Sequence, residues 1–214
     1  MSKAWKHFKK ILVHKYWVFR YCCKAGIPVQ GLLHDLSKFS PVEFFESVKY
    51  YQGDSSPIDA CKKANGYSKA WLHHKGRNPH HYEYWQDSFD NGGEPLIMPY
   101  KYAVEMLCDY LGAGRAYMGK SFTCAAESEW WNKKRSKPIA MHPMVLSFLD
   151  ICFDNIDEVA LALPSSEFKA MLKDYYNFAM QTWNSPEENF SVTKVCKENY
   201  FSNIEIEKEI EDLK

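Results

Sequence analysis

Residues 4–25 read AWKHFKKILVHKYWVFRYCCKA, and apolar side chains recur along them at helical spacing: Trp5, Phe8, Ile11, Leu12 and Phe19. Gly26 suits the residue just past a helix end, and Pro28 prevents continuation. Further helices follow with the same logic. A short element over 30–36 carries His34-Asp35. Ser40-Pro41, with Glu43 behind, is a cap followed by a first-turn proline and opens a helix over 41–51. Residues 52–57 read as a loop, and one helix is expected over 57–74, running through Gly66. Residues 75–97 look irregular, with Gly76, Pro79, Gly92, Gly93 and Pro95. Helices are expected at 99–118, 125–136, 142–163 (Pro143 in its first turn) and 165–183, the last with Phe168, Met171, Leu172, Tyr175 and Ala179 on one face. Residues 184–203 carry no clear signal, and 204–214 suit a short exposed acidic helix. No period-two strands occur and no repeat is found. The fold class read from this is all-α, with a helical domain over 1–183 and an extension over 184–214.

The chain has 214 residues, 46% hydrophobic and 25% charged, enough for one domain with a real core. Lysine and arginine number 27, as do aspartate and glutamate, giving a formal net charge of zero. The distribution is uneven: residues 1–50 hold nine bases and three acids, while 151–214 hold thirteen acids and six bases. The basic end favours a phosphate-bearing ligand, or is simply a solvated helix face. Seven cysteines without a CxxC pair make neither a disulfide framework nor a zinc ribbon, which suits a cytoplasmic setting. No apolar run approaches a membrane span. Zero net charge without a basic stripe argues against a dedicated nucleic-acid binder. Trp5, Trp17 and Tyr21 suit either a helix-face homodimer interface or the core.

Histidine placement carries the chemistry. Of eight histidines, five fall in two places: His34-Asp35, and His73-His74 with His80-His81 seven residues on. Imidazole nitrogen and carboxylate oxygen are the usual ligands of Zn, Fe, Mn, Ni or Co. Helices of a bundle can direct such ligands to one interior point. One carboxylate can also bridge two ions.

His34-Asp35-Leu-Ser-Lys38-Phe-Ser-Pro resembles the His-Asp-x-x-Lys signature of the HD-domain superfamily of metal-dependent phosphohydrolases. The resemblance covers roughly residues 8–118. It also extends to an uncharacterised group within that superfamily with a His-Asp-x-Ser-Lys motif and a His-His pair followed by Asn-x-His-His, here His73-His74 and Asn78-Pro79-His80-His81. It implies an HD-like helical bundle, here with additional C-terminal helices. It implies metal ligation by His14, His34, Asp35, His73, His74 and Asp109, with one or two divalent transition-metal ions. His7, on nearly the same helical face, competes with His14. The Gly-Tyr-Pro motif of cyclic-dinucleotide phosphodiesterases is absent, with Asn78-Pro79-His80-His81 in that region, and an intermediate histidine of those enzymes is missing. These departures point away from a cyclic-dinucleotide substrate.

Asp109, among Met106, Leu107, Leu111 and Ala113, needs a partner or an ion if buried. Glu105 is one turn away, as an orienting group, a general base or an exposed acid. His73 and His74 diverge by about 100° on a helix, so one is expected to ligate and the other to meet substrate. Arg77, Asn78, His80 and His81 are expected at the mouth, where Arg77 and Asn78 bind an anionic group and His80 or His81 protonates the leaving oxygen. Lys38 is expected near a substrate phosphate. The function implied is hydrolysis of a nucleotide or other small phosphoester through metal-activated water. The same ligands suit an HD-like di-iron oxygenase, and the fold also suits a non-catalytic metal- or nucleotide-binding protein.

Overall fold

In the computed structural model the described residues are 2–53, 55–87 and 93–184. Helix α1 spans Lys3–Lys24; the Ser2 hydroxyl accepts from the Trp5 backbone N–H at 3.3 Å, and Gly26 follows the cap at φ +76°. Its buried stripe is His7, Ile11, His14, Val18, Tyr21 and Cys22. Of the apolar residues that mark the helix in the sequence, Ile11 is buried, whereas Trp5, Leu12 and Phe19 are exposed. Hydrophobicity would have turned them inward, but His14 finds carboxylate partners inside, His7 packs on the rings of Phe44 and Tyr51, and this side packs closely on another helix. Tyr21 belongs to the core, while Trp17 packs partly against it.

The second helix, α2, spans Pro28–Leu33, and a short 3-10 turn covers Leu36–Phe39, so His34 and Asp35 occupy the junction. The ammonium of Lys15 on α1 donates to the His34 carbonyl, pinning that junction. Ser40 caps α3, Pro41–Tyr50, as its cap-proline pattern predicts. The single helix expected over 57–74 is two: α4, Pro57–Asn65, and α5, Lys69–Lys75. Gly66 takes φ +81°, which ends α4, and the Ser68 hydroxyl then accepts from Trp71 N–H at 3.0 Å to start α5. The irregular stretch that follows holds a 3-10 turn, Tyr82–Tyr84, and a two-stranded ribbon, Gln86–Asp87 with Glu94–Pro95, Gln86 facing Pro95.

Helices α6, Tyr100–Met118, and α7, Cys124–Arg135, follow. The helix expected over 142–163 is also broken, into α8, Pro143–Asn155, and α9, Glu158–Ala162. The Asp157 carboxylate accepts from Ala160 N–H at 2.8 Å and so nucleates a new helix. Helix α10 is Ser165–Asn184; Phe168, Leu172, Tyr175 and Ala179 are buried on it. The stretch from 185 onward, including the acidic tail helix expected at 204–214, lies outside the described residues. Among the described residues the fold is all-α apart from the small ribbon. No helix there is long and apolar enough to cross a membrane, and the six cysteines there are free.

Every residue of α8 from Met144 to Phe153 is buried, making it the central helix of the core. The one acid of that buried stretch, Asp150, takes hydrogen bonds from Trp131 Nε1 at 2.8 Å and Arg135 Nε at 3.2 Å. Helix α1 packs most extensively on α6. At their crossing a Cβ on Gly112 would stand 2.5 Å from Val18 Cγ2 and 3.0 Å from the Val18 backbone nitrogen. Overpacking of this kind costs about 1–3 kcal/mol. Gly112→Ala is therefore expected to lower unfolding free energy by that amount in urea titration. A change within error of zero would mean the helices do not approach so closely.

Candidate metal centre

The centre forms where α1, the α2–α3 junction, the turn after α5 and α6 converge. Asp35 is the only non-glycine described residue with positive φ, at 55°. Left-handed backbone of this kind is costly and is kept where surroundings demand it. Here it turns the Asp35 carboxylate inward beside His34, both 1% exposed.

The two oxygens of Asp35 face two different donor sets. Oδ2 lies 3.5 Å from His14 Nε2 and 3.2 Å from His34 Nε2. Asp109 Oδ1 completes that set, 3.1 Å from His14 Nε2 and 3.4 Å from His34 Nε2; the two imidazole nitrogens are 3.3 Å apart. Ligands about 2.0–2.1 Å from a tetrahedral ion are about 3.3–3.4 Å from each other, so these spacings suit a small cation. On the other side, Asp35 Oδ1 lies 3.2 Å from His74 Nε2 and 3.4 Å from His80 Nε2, and His74 Nε2 is 2.9 Å from His81 Nε2. Within each set the donor atoms lie within 4.8 Å of one another. Asp35 Oδ2 is met by the Lys38 ammonium, whereas Asp35 Oδ1 and His80 Nε2 are buried without a hydrogen-bond partner. Buried polar atoms are normally paired, and a cation would supply what these lack. These buried groups could hold a metal ion.

The remaining imidazole nitrogens are held by carboxylates. Glu105 Oε1 accepts from His34 Nδ1 at 3.0 Å and from His80 Nδ1 at 3.1 Å. One oxygen thus orients one imidazole of each set, leaving both Nε2 atoms inward. Glu43 Oε2 accepts from His74 Nδ1 at 2.8 Å, and its Oε1 from His73 Nδ1 at 2.6 Å. Such partners typically carry 10–100-fold in metal affinity. Glu105→Ala is expected to weaken metal binding by about that factor while the fold persists, as a competitive chelator titration would read. Unaltered affinity would remove Glu105 from the centre.

Electrostatics favours the ligating forms of the carboxylates and of His81. At His34 and His74, burial is outweighed by Asp35 and the other neighbouring carboxylates, which raise both imidazoles above their ordinary pKa, so these two give up a proton on ligation. Burial opposes charge on Asp35, but His34, Lys38 and His74 hold its carboxyl well below the usual range. Asp109 is likewise held low against its burial by His14 and His34. Burial and the neighbouring His80 and His74 keep the His81 imidazole well below its ordinary pKa, hence neutral with a free lone pair. Lys38 Nζ sits 2.5 Å from Asp35 Oδ2 and lines a cavity of about 610 Å³ that opens on His14, Asp109, His74 and His81.

The sequence-predicted residues divide as follows. His14, His34, Asp35, His74 and Asp109 come together. His73 does not: it points to Glu43 and stays outside both donor sets. The one-turn divergence of adjacent helical residues separates it from His74. His7 lines the cavity but is outside both sets, resolving the competition with His14. His80 is corrected from the mouth to the interior; it is 1% exposed and absent from the cavity wall, so it cannot reach a leaving oxygen. His81 joins the donors yet still lines the cavity. Arg77 is exposed beyond α5 and off the cavity wall, and Asn78 is buried, donating to the His74 carbonyl and the Ser37 hydroxyl at 2.8 Å each. Asn78 therefore braces His74 instead of meeting a ligand. Sequence reasoning passed over Glu43 as a histidine partner. Its position three after Ser40 signalled only a helix cap.

The whole set, from His14 to Asp109, lies within residues 3–155, which match the family of unknown function DUF5662. The chain belongs to that family. No curated protein and no solved structure matches it. The matched stretch ends with α8, so the DUF5662 region contains every donor and both orienting glutamates, whereas α9 and α10 lie beyond it.

Proposed function

We propose that the chain is an HD-like metal-dependent phosphohydrolase that holds two divalent transition-metal ions and cleaves a small phosphoester. The observation that carries this reading is the division of Asp35: one oxygen serves His14, His34 and Asp109, the other His74, His80 and His81. The residues fit the ions in number, in donor type and in their orphaned buried atoms. When bound, the ions would supply an activated water and neutralise charge on the phosphoryl oxygens.

The protein residues have separate tasks. His34 and Asp35 meet from one turn, so their relative position is set locally. Glu105 holds the histidine tautomers that aim Nε2 inward. Lys38 places a cation at the cavity wall beside Asp35, where it would meet an anionic group entering from the open side. His81 belongs to the donors and also borders the cavity, so it would hold an ion at the edge of the bound substrate. The cavity walls exclude bulk water from part of the substrate, which strengthens these interactions.

Untagged protein purified without chelators would be analysed for metals and assayed on p-nitrophenyl phosphate, its bis ester and nucleoside monophosphates. Stoichiometric metal with phosphate release supports the reading. Stoichiometric iron with oxygen consumption and no phosphate release replaces it with a di-iron oxygenase. Metal without either turnover replaces it with a binding protein.

A further inference from the structure

The cavity continues past the donor groups into a slot between α6 and α7. Along α7, Glu127, Trp130 and Lys134 all line it, spaced so that they share one helical face. Along α6, Tyr110, Ala113, Gly114 and Tyr117 face them from the other wall. Glu127 is 4% exposed and has no hydrogen-bond or ion-pair partner among the described residues. Its carboxyl rests on the bare backbone of Gly114, where a Cβ would meet Oε2 at 1.9 Å. An unpartnered buried carboxyl destabilises a fold, so its retention on a cavity wall points to a ligand that supplies the partner. Burial and, second, the charge of Asp109 push its pKa up to about 7.

The surroundings describe that ligand. Trp130 is 42% exposed and its ring centroid lies 5.2 Å from that of Tyr110. The Lys134 ammonium is already engaged, 3.0 Å from the Tyr110 hydroxyl and 5.4 Å from the Trp130 ring centroid. The two rings are tilted by 56° and touch each other, and Ala113, Gly114 and Ala126 leave space beside them. This is an aromatic-lined space with one hydrogen-bonding carboxyl. A polyol would demand several polar contacts, while a heteroaromatic ring demands stacking surface and one edge contact. Gly114 lies five residues beyond Asp109, about 7–8 Å along the helix, a span of the order that a pentose sets between a 5′-phosphate and its base. A cavity of about 610 Å³ also exceeds the needs of a bare phosphate.

We propose that the α6–α7 slot binds a nucleobase, with the exposed Trp130 ring against its face and the Glu127 carboxyl on its N–H edge, making nucleoside monophosphates the substrate class. The proposal rests on the phosphohydrolase reading for its phosphate end only.

The test uses nucleosides, which carry no phosphoester. Full-length metal-loaded protein would be titrated calorimetrically with adenosine, guanosine, cytidine and uridine, with ribose as control. Glu127→Gln, Glu127→Ala and Trp130→Ala would be compared, with metal content and melting temperature recorded for each. At least one nucleoside is expected to bind tenfold or more tightly than ribose. Glu127→Ala and Trp130→Ala are each expected to weaken it roughly five- to hundredfold, with metal content unchanged. Glu127→Gln is expected to keep the fold and alter which base is preferred, because an amide exchanges an acceptor for a donor. Melting temperatures of the Glu127 variants should equal or exceed that of the wild type; a fall would assign the carboxyl to structure and overturn the proposal. Nucleosides binding no better than ribose, or variants binding as wild type, would also overturn it. Phosphate release from p-nitrophenyl phosphate is read in parallel. Its presence without nucleoside binding sinks the slot alone, and nucleoside binding without it sinks the hydrolase reading alone.

Discussion

Asp35→Ala is expected to lose bound metal from both donor sets and to reduce phosphoester hydrolysis by at least about a thousandfold, equivalent to about 4 kcal/mol of transition-state stabilisation. The reason is the double use of this carboxylate. Its two oxygens stand 3.2 Å from His34 Nε2 and from His74 Nε2, so truncation removes a donor from each set in one step. It also strands the Lys38 ammonium, whose nearest anion it is at 2.5 Å, so some destabilisation accompanies the loss. Asp35→Asn separates the effects. Asparagine accepts the left-handed backbone at φ 55° and preserves the turn, but it offers one neutral oxygen where two charged ones are needed. It should fold like the wild type and still lack a full metal complement. Elemental analysis and turnover on the same preparations check both. Full metal content with unchanged turnover in Asp35→Ala would end the two-ion proposal.

Metal removal is expected to lower the melting temperature by roughly 8–16 °C. A site filled at a thousand times its dissociation constant contributes about 4 kcal/mol, and about 1 kcal/mol moves a domain of this size by roughly 2–4 °C. The apo-centre also keeps buried Asp35 and Asp109 together with unpartnered nitrogen and oxygen atoms. Chelation, then stepwise return of manganese, zinc or iron, would be followed by thermal unfolding. The effect has a pH sign. Binding needs ionised carboxylates and neutral imidazoles, so the difference between loaded and chelated protein should shrink as pH falls through the histidine range. A melting temperature indifferent to chelation and to every added ion would sink the metal reading.

Local signals served well where a helix end is decided by its own residues. Ser40-Pro41 marks the start of α3 and Gly26 the end of α1, because capping involves only neighbours in sequence. They failed where periodicity ran smoothly across a break. At Gly66 and Asp157 a single residue favoured termination or renewed capping, and the apolar pattern on either side hid it. The spacing of apolar residues along α1 marked a helix without deciding which face is buried: Trp5, Leu12 and Phe19 are exposed, and the buried stripe carries His7 and His14.

The centre divides along the same line. Sequence alone was enough for the all-helical class and, through the motif resemblance, for naming His14, His34, Asp35, His73, His74 and Asp109 as ligand candidates with Lys38 near them. Only the adjacency of His34 and Asp35 is local; His14, His74 and Asp109 lie on separate helices and meet through packing. Packing assigned the rest. It separated His73 from His74, drew His80 inward, used Asn78 as a brace and left Arg77 outside. It also set Glu105 between two histidines and Glu43 beneath a third. Those pairings join residues 25 to 71 positions apart in the chain, so they form only when α3, α5, α6 and the turns beside them are docked. A carboxylate's choice of partner depends on interhelical distance and orientation, and neither is encoded in the spacing of residues along one helix.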